Sequence, residues 1–134
     1  MKLKNDDFKY RNLIVWQKSM QLMEDVYAAV RGFPSDERYA LGDQVRRAVV
    51  SIASNIAEGC GRAGNRDYGH FLSIARGSLY ETMTQLEMAQ RLGYIDSLEP
   101  YEPIANEIAR MLTALMKKYP LPSHSPNLMN RNAG

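Results

Sequence analysis

The sequence predicts an all-α protein, an antiparallel up-down four-helix bundle, and three observations carry that prediction. Apolar residues recur at helical spacing in four successive segments. The joints between the segments are short and hold glycine, proline, serine and aspartate. No stretch alternates with period two for long enough to make a strand. Four amphipathic helices on short connections seal their stripes against one another as such a bundle, and 134 residues suit one domain.

In the first segment Trp16, Met20, Met23, Tyr27 and Val30 recur at spacings of four and three, widened by Leu22 and Val26. Gly32 and Pro34 break it, and Ser35 is placed to cap a second helix with Asp36 and Glu37 in its first turn. The second stripe is Leu41, Val45, Ala48, Ile52 and Ile56, widened by Val49. It stops in the glycine cluster at 59–64, where Gly59 or Gly61 is expected to supply a left-handed helix ending. Asn65 reads as the cap of a third helix with Asp67 near its positive end. Leu72, Ala75, Leu79, Thr82, Leu86 and Ala89 form its stripe, which ends at Gly93. The second and third helices each span about 24 residues, roughly 36 Å. Asp96 and Glu99 have capping-box spacing ahead of the fourth stripe, Ile104, Ile108, Met111 and Leu115, which Pro120 and Pro122 close. Residues 1–11 and 120–134 lack periodicity and read as a mobile N-terminal arm and a disordered C-terminal tail around a bundle domain at 12–119.

Composition narrows the function class. A single cysteine, Cys60, excludes a disulfide framework and a multi-cysteine zinc site within one chain, which suits a reducing cytoplasm. The N-terminal "MKLKNDDFKYRN" has no apolar core of a signal peptide, and no apolar run approaches a membrane span, so a soluble cytoplasmic protein is expected. His70 and His124 are the only histidines, and metal-binding Glu-x-x-His spacing is absent. No enzyme, cofactor or metal is expected. "GCGRAG" at 59–64 fits G-x-G-x-x-G, but it joins two helices, so the dinucleotide reading fails on context. Its amides, with Arg62 and Arg66, are a candidate phosphate cradle.

The net charge is only +2, so its distribution matters more than its size. Residues 44–76 carry Arg46, Arg47, Arg62, Arg66 and Arg76 against Glu58 and Asp67. All five cations are arginine, whose planar fork suits phosphate and carboxylate. Residues 95–109 carry Asp96, Glu99, Glu102 and Glu107 with no base. The second helix also has a polar seam beside its apolar stripe: Arg47, Ser51, Ser54 and Glu58 at i, i+4, i+7 and i+11, with Asn55 adjoining. Ser73, Gly77 and Ser78 answer it on the third helix. A glycine inside a helix costs about 1 kcal/mol relative to alanine, so Gly77 is expected to serve a close approach of neighbouring backbone. Tyr68, Tyr80 and Tyr94 are either packing residues or stacking platforms for bases.

"LIVWQKSMQL", "FPSDERYALGDQVRRAVVSIASNIAEGCGR" and "FLSIARGSLYETMTQLEMAQRLGYI" resemble the four-helix-bundle family named after the 23S rRNA-intervening sequence protein. The accessory variability determinant of diversity-generating retroelements is similar too. The arginine pair, "SNIAEG", "GR" and "GSL" are the most specific pieces, and the resemblance spans about residues 12–118. Ala53 stands where the family usually has proline. The resemblance implies a bacterial cytoplasmic protein that closes into a ring-shaped homo-oligomer, a homopentamer, and is not an enzyme. It further implies RNA or other nucleic acid as the partner of the five arginines, with docking to a reverse transcriptase as the alternative.

Overall fold

The computed structural model describes residues 7–121, and among them there are four α-helices and no strand. These are α1 (Ile14–Arg31), α2 (Leu41–Cys60), α3 (Asn65–Arg91) and α4 (Glu102–Lys118), with 3₁₀ turns at Lys9–Asn12 and Glu37–Tyr39. Each helix packs on the next, and α4 returns to α1. Ser51 faces Ser78, Gly59 faces Tyr68 and Phe71, and Gly69 faces Tyr119, so consecutive helices run in opposite directions. The core is one apolar cluster drawn from all four helices. Each fully buried leucine or isoleucine in it contributes about 1.5–3 kcal/mol. No helix is long and apolar enough to cross a membrane among the described residues.

The stripes of α2 and α3 are buried as their spacing predicts: Val45, Ala48, Val49, Ile52 and Ile56 on one, Leu72 through Ala89 on the other. α2 passes through Ala53 without interruption and is 20 residues long, while α3 runs to 27. α1 is turned by one residue relative to the expected stripe. Its inward line is Val15, Ser19, Leu22, Val26 and Val30, whereas Trp16, Met20 and Met23 are only half-buried and Tyr27 is exposed. Ser19 tolerates the core because its hydroxyl donates to the Val15 carbonyl at 2.7 Å. Trp16 and Tyr27 keep polar tips at the rim instead. α4 is similar, with Ala105, Ile108 and Leu112 innermost and Ile104, Met111 and Leu115 flanking them.

The expected caps are corrected. No helix has a side-chain N-cap bond. After Ser35 the chain makes a 3₁₀ turn on the Pro34 carbonyl before α2 starts at Leu41. Asn65 lies inside α3, because the Gly64 carbonyl already accepts the Tyr68 amide. Asp96 and Glu99 precede α4 rather than cap it; there the Ser97 hydroxyl accepts the Glu99 amide at 3.0 Å. Gly61 closes α2 with right-handed geometry, φ −81°. The left-handed glycine is Gly93, φ 82°, where Tyr94 N–H reaches the Ala89 carbonyl and Gly93 N–H the Gln90 carbonyl, the Schellman pattern. Lys9–Asn12, of which residues 9–11 are assigned by sequence to the arm, is a 3₁₀ turn whose Tyr10 ring lies 5.1 Å from that of Trp16. Residues 1–6 of the arm and 122–134 of the tail, with His124, lie outside the described residues.

Candidate nucleic-acid interface

The α2–α3 seam exists and is stitched by small side chains. The Ser51 and Ser78 hydroxyls share a hydrogen bond at 2.7 Å across the two helices. The Asn55 side-chain amide donates to the Ser51 carbonyl and hydroxyl at 2.8 and 2.9 Å, and Thr82 donates to the Ser78 carbonyl at 2.7 Å. Ser51, Asn55, Ser78 and Thr82 thereby each bond a neighbour one turn away or directly opposite, while the buried Gln85 Oε1 on α3 has no partner among the described residues. Ser54 and Glu58 stay on the exposed side of α2. Gly77 does not serve a close approach within the chain: a methyl group there would meet nothing within 4 Å. The glycines at true close approaches are Gly42, whose added Cβ would lie 2.9 Å from Val30 Cγ1, Gly59, whose added Cβ would lie 2.8 Å from Phe71 Cβ, and Gly69, which seats the Tyr119 carbonyl. Nothing in their local spacing distinguishes them from the loop glycines.

The five arginines do not form one patch. Arg46 is partly buried and occupied, bonded to the Asp43 carboxylate and to the Arg38 carbonyl at 2.9 Å, with its guanidinium over the Tyr27 ring. The i, i+3 spacing from Asp43 was the available signal. Arg47 is exposed and has no ion-pair or hydrogen-bond partner among the described residues. Arg76 points away, donating to the Tyr80 hydroxyl at 3.2 Å, and Tyr80 lines a cleft of about 310 Å³ between α3 and α4. Arg62 is half-exposed, pairs with Glu58 at 2.7 Å along the surface and lies over the Phe71 ring. Arg66 is exposed and, like Arg47, has no such partner among the described residues. About fifteen residues of α2, roughly 22 Å, separate Arg46 and Arg47 from Arg62.

Tyr68 and Tyr94 are packing residues. The Tyr68 ring sits 4.6 Å from that of Tyr119, and burial beside Cys60 and Tyr119 pushes its phenol up to about 12. Tyr94 packs 5.5 Å from Phe33. Only Tyr80 of the three is exposed. Cys60 is a half-buried free thiol. No group of three or more His, Cys, Asp or Glu residues suited to a metal ion occurs among the described residues.

Topology sorts the charges more sharply than the helices do. The Lys9–Asn12 turn, the α2–α3 joint and the end of α4 share one end of the bundle. That end carries Lys9, Arg11, Arg62, Arg66, Lys117 and Lys118 against Asp7, Glu58 and Asp67. The opposite end holds the α1–α2 and α3–α4 joints, which meet at Phe33 and Tyr94. There Asp36, Glu37, Asp43, Asp96, Glu99 and Glu102 outnumber Arg31, Arg38 and Arg46, with Glu87 and Arg91 paired alongside.

The fold and its surface define a class: a four-helix all-α protein whose charge, among the described residues, is polarised between the two ends of the bundle. The sequence profile of the 23S rRNA-intervening sequence protein family matches residues 11–114, and the chain belongs to that family. No curated protein sequence matches it.

Proposed function

We propose that the protein is a non-catalytic, oligomeric nucleic-acid-binding protein of the rRNA-intervening-sequence type, acting on RNA in the cytoplasm as a ring of five copies without metal or cofactor. The observation that carries the reading, alongside family membership, is that Arg66 is exposed with no carboxylate partner among the described residues, at the same end of the bundle as Lys9, Arg11, Lys117 and Lys118, which have none either. A guanidinium free of carboxylate keeps its fork for phosphate. Ring formation is supported by the outer face of α3, where Ile74 and Met88 are exposed and Gly77 opens on empty space. A ring multiplies a modest set of cations by the number of copies.

The test is a salt titration of RNA binding followed by fluorescence anisotropy. Log affinity should fall with log salt by about 0.7 per phosphate contacted for a single strand, or about 0.9 for a duplex. A protein that binds no RNA at low salt, or binds with no salt dependence, refutes the reading. The second reading is an adaptor that docks a protein such as a reverse transcriptase; the carboxylate-rich end of the bundle favours it. Capture of a reverse transcriptase by a protein that carries no nucleic acid would decide for it.

A further inference from the structure

We infer that the polyanion lands on the basic end of the bundle rather than on the flank of α2, and that it is single-stranded. The inference rests on the nucleic-acid reading above and names its surface and substrate class. The flank offers little: Arg46 is engaged by Asp43 and Arg38, which leaves Arg47 as a lone cation beside Val50. At the basic end six exposed cations come from three separate stretches of chain, and of these only Arg62 has a carboxylate partner among the described residues. The carboxylates at the far end polarise the molecule, so a polyanion approaching from solution is steered to this end.

The same end is shaped for a base. A groove of about 730 Å³ lies between the N-terminal turn and the last turn of α2, lined among others by Phe8, Tyr10, Ser54, Cys60 and Arg62. Phe8 is 54% exposed and carries the Arg11 guanidinium 5.6 Å from its ring centre. The volume falls within the range of small-ligand sites, several hundred cubic ångströms. An unstacked base can enter such a groove and lie on an aromatic face while its phosphates meet Lys9 and Arg11, which, unlike Arg62, have no carboxylate partner among the described residues. A duplex keeps its bases stacked inside and can use only the cations.

The experiment measures anisotropy of a labelled, mixed-sequence single-stranded oligoribonucleotide and of its annealed duplex, with the full chain and three variants. Arg66→Glu with Lys117→Glu tests the basic end, Arg47→Glu tests the flank, and Phe8→Ala tests stacking. Helicity by circular dichroism checks that each variant folds. If all six cations meet phosphates, the single-strand salt slope is about −4. The double charge reversal should lower it by at least about one and weaken both ligands, while Arg47→Glu changes little. Phe8→Ala should weaken the single strand about tenfold and leave the duplex unchanged. Loss of binding with Arg47→Glu but not with the basic-end variant overturns the inference and leaves the nucleic-acid reading standing. Equal effects of Phe8→Ala on both ligands overturn the single-strand assignment. No binding by the wild-type chain to either ligand overturns the nucleic-acid reading itself.

Discussion

At the scale of single residues, glycine decides how closely these helices meet. Gly69 lies under the last turn of α4, where a methyl group would collide with the Tyr119 backbone carbonyl, an atom that no side-chain rotation can move aside. Gly69→Ala is therefore expected to destabilise the protein by about 1–3 kcal/mol or more through overpacking, read as a lower urea midpoint with an unchanged slope. A stability equal to wild type would show that the α4 end is free to shift. The small polar residues work the other way. Ser51, Asn55 and Ser78 exchange hydrogen bonds within one contact, each worth about 1 kcal/mol net.

At the scale of elements, α1 and α4, the first and last helices of the bundle, are tied by Lys18 and Glu107. The hydrogen bond and charge of Lys18 hold the Glu107 carboxyl below its usual range. A carboxylate lowered in the folded state adds stability that is present above its unfolded pKa and lost as pH falls through the folded value. Glu107→Gln should thus be less stable than wild type near neutral pH, and the difference should vanish in acid. A chemical-denaturation series across pH checks this, and a difference that persists in acid would place its origin in packing. High salt should shrink the difference as well, because both side chains are partly exposed.

At the scale of the whole molecule, the outer face of α3 is the surface that the folded chain leaves unexplained by its own packing. Gly77 weakens the helix by about 1 kcal/mol relative to alanine while touching nothing, between the exposed Ile74 and Tyr80. If neighbouring copies of a ring cover that face, Gly77→Arg should reduce the mass found by light scattering from a multiple of the chain to a single chain, with helicity preserved. Wild-type protein that scatters as a single chain would remove the ring. The charge polarity belongs to this scale too, since no one helix displays it. It arises because up-down connectivity stacks the N-terminal turn, the α2–α3 joint and the α4 end together.

The sequence by itself determined the four helices, their order and the inward lines of α2 and α3, because a 3.6-residue period has one reading when an apolar stripe is continuous and flanked by charge. It left α1 and α4 one step off, since Trp16, Tyr27 and Met111 are apolar by type yet half-exposed by shape. It named the arginines, and it named Ser51 and Asn55 as a seam, but periodicity along one helix carries no information about what lies across from it. Only the tertiary structure decided that Ser78 meets Ser51, that Gly69 and not Gly77 lies at a close approach, and that cations from three stretches of chain gather at one end. Those are contacts between residues far apart in the chain, and they come into being only when the helices choose their neighbours.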